Sequence, residues 1–131
     1  MISRKQDLAL LLLRLTFGGL MILGHGWGKF DKLLAGAPYE FGDPIGLGPT
    51  VSLFLAVFAE VLCAFFIVIG LFTRYATIPL IFTMLVAIFF VNLGAPLANV
   101  EKAILYLVPF AVLLLTGPGW YSVDAQWRKV I

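Results

Sequence analysis

Four side chains in this sequence have the types and the spacing to do chemistry together: Arg14, His25, Lys29 and Glu60. Positions 4, 11 and 15 residues apart return to nearly the same azimuth of an α-helix, so Arg14, Gly18, His25 and Lys29 share one face of the first apolar run. Glu60 stands in a second run, on a ridge of small residues spaced by four, Ser52, Ala56, Glu60 and Ala64, the kind of stripe that lets two membrane helices approach closely. A carboxylate, an imidazole and two cations converging from facing helices can hold a polar oxygen and pass it a proton. Glu60 and His25 are therefore the candidate catalytic residues. Arg14, Lys29, Trp27 and Tyr106 are the candidate ligand-binding ones.

His25 is the chain's only histidine and sits in LGHGWGKF, residues 23–30, where glycine separates His25, Trp27 and Lys29 from one another. An interfacial anchor accounts for Trp27 in the headgroup belt and for Lys29 snorkelling to water. It does not account for a histidine in line with Arg14, or for three glycines in five positions. The expectation is that the glycines keep the outer end of this helix thin and irregular at a cavity mouth. On the fourth run Lys102, Tyr106 and Pro109 share a face, with Glu101 in the first turn behind a possible Asn99 cap. Cys63 and the methionines read as packing.

The elements that must position these groups are membrane helices. The 131-residue chain is 62% hydrophobic and 12% charged, with a mean hydropathy of +1.05; soluble domains carry about 25% charge. Its length allows one domain, residues 1–131, with no room for a separate soluble unit. A net charge of +2 without a basic block argues against nucleic acid. A single cysteine excludes an intrachain disulfide or a CxxC pair, and a single histidine excludes a bis-histidine haem held by one copy. Neither a haem nor a metal site is evident, so redox work here would borrow a diffusible cofactor such as quinone, or a partner's centre.

The spans expected from hydropathy are about 7–27, 50–72, 75–93 and 99–116. MISRKQ followed by LALLLL imitates a signal peptide, yet no A-x-A site follows and the apolar run continues past Arg14, so the segment is expected to remain. A turn-rich loop joins the first two spans, and Gly70–Arg74 is short enough to force a hairpin between the second and third. Pro79 falls in the first turn or so of the third span, and Pro109, in mid-span, should kink the fourth. GPGWYSVD ends that helix and places Trp120 and Tyr121 at the interface. Arg4, Lys5, Arg74, Arg128 and Lys129 lie on the side of the termini, whereas Lys29, Lys32 and Lys102 lie opposite among four acids. The positive-inside rule then puts both termini in the cytoplasm. The fold expected is an all-α, four-helix, up-down-up-down transmembrane bundle. In that arrangement Arg14 and Glu60 come within roughly 5 Å of the same depth and can pair, either as part of a site or as a salt bridge that sets helix register.

Taken in order, the arginine in the first helix, GHGWGKF, the mid-helix Glu60, IGLFTR at 69–74 and the closing GPGWYSVD resemble the DoxX family of small bacterial four-helix membrane proteins, over almost the whole chain. The resemblance implies the bacterial cytoplasmic membrane and a link to oxidoreductases, because the family takes its name from a membrane subunit of a thiosulfate:quinone oxidoreductase. It implies a site, made of Arg14, His25, Lys29 and Glu60, rather than a reaction. Two function classes follow. In one, a quinone or small phenolic ring sits among Phe65, Phe66, Phe89 and Trp27, with His25 or Lys29 on a carbonyl oxygen and Glu60 handling the proton. In the other, the chain is a non-catalytic membrane subunit or assembly factor whose polar face docks a redox partner or a second copy. A transporter has less support, since no inverted repeat or pair of broken helices is visible.

Overall fold

The computed structural model describes residues 3–39, 41–92 and 94–130, with 128–130 through their backbone. Glu40, Leu93 and the side chains of Arg128 and Lys129, which enter the span and orientation readings, lie outside the described residues. The described residues are helical and turn structure without strands. Four helices are long and apolar enough to cross a membrane: α1 (Arg4–Leu34), α2 (Pro49–Ile69), α3 (Thr73–Val91) and α4 (Leu97–Thr116). These are the four expected spans, with one large change. The first does not stop at Trp27 but continues through GHGWGKF, 31 residues in all, or roughly 46 Å at 1.5 Å per residue. A bilayer's hydrocarbon core is about 30 Å, so α1 tilts or projects beyond it.

Two glycines fix how α1 meets α2. A Cβ on Gly18 would stand 2.8 Å from Val68 Cγ2 and 3.1 Å from the Ala64 carbonyl oxygen, and one on Gly26 would stand 2.5 Å from the carbonyl oxygen of Glu60. Later residues of α1 therefore oppose earlier residues of α2, and the two run antiparallel in close backbone contact. Gly70, at φ 75°, caps α2, and Phe72, at φ 48°, leads into α3. Pro79 then lies inside α3 rather than in its first turn, and α4 runs unbroken through Pro109. Met21, Ala64, Ile67, Leu80, Phe110 and Leu113 belong to the core between the helices. Leu23, Tyr75 and Leu115 are exposed by three quarters or more, as expected where the solvent is lipid.

A short fifth helix, α5 (Val123–Val130), follows α4. Its polar mean composition hid it from a search for apolar runs. Asp124 fastens it: the amides of Phe72 and Thr73 donate to its carboxylate at 2.8 and 3.0 Å, capping the start of α3. The Trp120 amide donates to Asp7 Oδ1 at 2.9 Å, which ties the start of α1 to the end of α4.

Candidate functional site

The helices are not uniform, and the departures coincide with the polar residues. Wide π-helical turns occur at Arg14–Gly18, Ile22–Gly26, Phe58–Cys63 and Ala87–Val91. Such turns are frequent at functional sites, because they shift side chains out of the regular helical order. The second carries His25 and the third carries Glu60. The fourth ends where Asn92 Nδ2 donates to the Ala87 carbonyl at 2.9 Å.

The last three of these turns, together with α4, border a cavity of about 210 Å³, lined by His25, Lys29, Glu60, Asn92, Lys102 and Tyr106 among others, with Met21 and Met84 supplying apolar wall. Its central feature is an ion pair. Lys29 Nζ lies 2.7 Å from both carboxylate oxygens of Glu60, with 31% of the lysine side chain and 2% of the glutamate side chain exposed. Gly26 makes this possible. One turn before Lys29, it seats α1 directly on the Glu60 backbone, so the lysine stem has only to reach across that contact.

His25 and Tyr106 form the aromatic wall. The imidazole stands edge-on to the Tyr106 ring, with centroids 5.1 Å apart and planes at 85°. Tyr106 is backed by Phe17 edge-on and by Phe110 stacked. Buried aromatic clusters of this geometry hold their members rigidly. Among the described residues, neither the imidazole nitrogens of His25 nor the hydroxyl of Tyr106 has a hydrogen-bond partner, and neither is a sealed buried atom. Both residues line the cavity. Thr83, also at the wall, is already spent on the Pro79 carbonyl.

His25, Lys29, Glu60 and Tyr106, expected to act together, are thus brought together. Arg14 is not. It is fully buried, and its guanidinium donates to the carbonyl of Val68 at 3.2 Å and to that of Tyr121. The expected Arg14–Glu60 pair is replaced by Lys29–Glu60. The physical reason is register: with Gly18 opposite Ala64 and Val68, and Gly26 opposite Glu60, Arg14 lies level with the end of α2, roughly 16 Å along α1 from His25. There it satisfies carbonyls at the negative end of the α2 dipole and joins them to the tail. Arg14 thus lies outside the cavity lining, between the end of α2 and the tail.

Trp27 also stands apart, 58% exposed and edge-on to Phe30 at 6.0 Å. Phe65 and Phe89 face outward, and Tyr106 is the ring that they and Phe66 were expected to supply. Asn99 is not a cap, since α4 begins two residues before it; it lines the cavity instead. Glu101 is exposed in the first turns of α4. Asn92 was passed over, although a carboxamide at the end of an apolar span on the His25 side was a readable signal.

An uncharacterized protein of Haemophilus influenzae is 32% identical over 138 aligned residues, covering 98% of this chain and 97% of the relative. No solved structure matches the chain. The DoxX family profile matches residues 9–93, the segment that holds most of α1, all of α2 and α3, the glycine contacts and the Lys29–Glu60 pair, and the chain therefore belongs to the DoxX family of membrane proteins.

Proposed function

We propose that the cavity binds the ring of a quinone or small phenol, and that the chain works as a membrane oxidoreductase subunit in the bacterial cytoplasmic membrane. The observation that carries this reading is the convergence of two unpartnered polar groups, His25 and Tyr106, on one small cavity beside a buried ion pair. Ligand pockets are largely apolar with a few convergent polar groups. An apolar cavity of about 150 Å³ accepts benzene in another protein, so a space of this order suits one substituted ring, with any isoprenoid tail left in lipid.

In this reading Tyr106 donates to one ring oxygen and His25 to another. Reduction of a quinone to a quinol takes up two electrons and two protons. The electrons come from a partner subunit or a diffusible reductant, and the protons pass through His25, with Glu60 holding the compensating negative charge. Lys29, 2.7 Å from both carboxylate oxygens, fixes the position of Glu60.

The test is calorimetric titration of the purified protein in mild detergent with duroquinone, a fully methylated quinone that does not alkylate side chains. Saturable binding, weakened about tenfold by His25→Ala and by Tyr106→Phe but unchanged by Arg74→Gln, is expected. Absence of binding, together with stoichiometric copurification of another protein, would establish the non-catalytic subunit instead.

A further inference from the structure

Lys102 gives the cavity a charge that its own residues do not balance. It lines the same space, one helical turn before Tyr106 on α4, so its stem runs along the wall that holds the aromatic pair. Among the described residues Lys102 makes no ion pair or hydrogen bond. Its chain neighbour Glu101 does not compensate it, because adjacent positions on a helix point about 100° apart. The carboxylate across the cavity is also taken, since both oxygens of Glu60 lie 2.7 Å from Lys29 Nζ. Counting the lining groups, Lys29 and Glu60 cancel, His25 carries at most a positive charge, and Lys102 leaves an excess of one cation.

We propose that the ligand of this cavity is a single aromatic ring bearing one acidic substituent, a carboxylate or an ionised ring hydroxyl, and that Lys102 selects it by its charge. This rests on the ring-binding reading above and adds the ligand's charge and the residue that reads it. Lys102 is itself exposed, so it meets the cavity from its open side, where the low-dielectric walls focus its field on an entering anion. The carboxamides of Asn92 and Asn99 line the same space and give the acidic group polar surroundings. A neutral quinone would occupy the ring subsite and leave Lys102 unused.

The experiment compares two probes of equal shape that differ in charge, 4-hydroxybenzoate and 4-hydroxybenzamide, titrated against the full chain in phosphatidylcholine nanodiscs. The neutral lipid keeps bulk anionic headgroups from competing for Lys102. The benzoate is expected to bind at least tenfold more tightly than the benzamide. Lys102→Gln should abolish that preference while leaving benzamide affinity unchanged, and Lys102→Arg should retain it. Equal affinity for the two probes, or a parallel loss of both in Lys102→Gln, would overturn the assignment while the ring subsite stands. If neither probe nor duroquinone binds the wild-type protein, the ring-binding reading itself fails and this inference with it.

Discussion

Glu60 keeps 2% of its side-chain surface exposed while Lys29, 2.7 Å away, keeps 31%, so the two halves of the pair are not equivalent. Removing the lysine leaves a buried carboxylate without its partner; removing the glutamate leaves a lysine that can swing to water. Lys29→Met is therefore expected to cost about 2–3 kcal/mol, somewhat below the 3–5 of a sealed pair, and Glu60→Gln about 1 kcal/mol. The double variant should recover most of the loss, because a neutral pair has no charge to desolvate. Thermal melts of the four proteins in detergent give the coupling directly, and strict additivity would mean that the contact contributes nothing to stability. Arg14 belongs to a different ledger. Its guanidinium joins the Val68 and Tyr121 carbonyls, and a lysine ammonium lacks the planar fork that reaches both. Losing one charge-assisted hydrogen bond costs about 1.5–3 kcal/mol, so Arg14→Lys should lower the melting temperature yet leave duroquinone affinity as it was. A matched loss of affinity would place Arg14 back in the site.

The close contact of α1 with α2 turns on one glycine of the three in GHGWG. A Cβ on Gly26 meets the Glu60 carbonyl oxygen at 2.5 Å and Val61 Cγ2 at 2.7 Å, whereas one on Gly24 or Gly28 meets nothing within 4 Å. Gly26→Ala must push the helices apart and carry Lys29 away from Glu60. Gly24→Ala and Gly28→Ala should be neutral or stabilising by about 0.5–1 kcal/mol, the ordinary gain of alanine over glycine in a helix. Melts of the three single variants decide it, and equal effects at all three positions would show that the glycines serve flexibility rather than packing. This segment also marks how far the sequence could be read. Apolar length made the four helices legible, and four-residue spacing made the inward faces legible: Ser52, Glu60 and Ala64 are buried, as are Arg14 and Gly18. Three glycines in five positions looked like the frayed end of a helix, because glycine weakens helices in water. In lipid an exposed amide has no water to turn to, so the helix continues to Leu34 and the glycine becomes a contact. A helix ending at Trp27 would set Arg14 level with Glu60, whereas the helix that continues to Leu34 brings Lys29 there instead. Register depends on which small residue meets which backbone, and periodicity alone does not contain that information. The carboxylate and the histidine face were readable from the chain; the partner of each was not.

For the whole molecule the open quantity is its direction across the membrane. The hairpin from α2 into α3 turns over three residues, Gly70–Phe72, and the end of α4 is fastened to the start of α1 through Asp7 and Trp120. That end carries Arg4, Lys5 and Arg74, and the opposite end carries Lys29, Lys32 and Lys102 beside Asp31, Asp43 and Glu101. The ion pair changes the count in one direction. Lys29 is committed to Glu60 inside the bundle, so it no longer acts as a free flanking charge, and the excess of basic residues on the side of the termini grows. The positive-inside rule weighs Lys and Arg within short flanks and largely ignores the acids. We therefore expect an up-down-up-down passage with both termini in the cytoplasm, and the cavity formed by His25, Lys29, Glu60 and Lys102 in the outer half of the bilayer. Alkaline phosphatase fused after Ile131 should be inactive, and the same enzyme inserted in the loop between α1 and α2 should be active, with a cytoplasmic fluorescent reporter giving the opposite pattern. Lys29→Gln should leave both signals unchanged, because a paired lysine does not steer insertion, whereas replacing Arg4, Lys5 and Arg74 together by glutamine should produce mixed orientation. An active phosphatase after Ile131 in the wild-type chain would invert the molecule and move the cavity to the cytoplasmic half, where its protons would be drawn from the other side of the membrane.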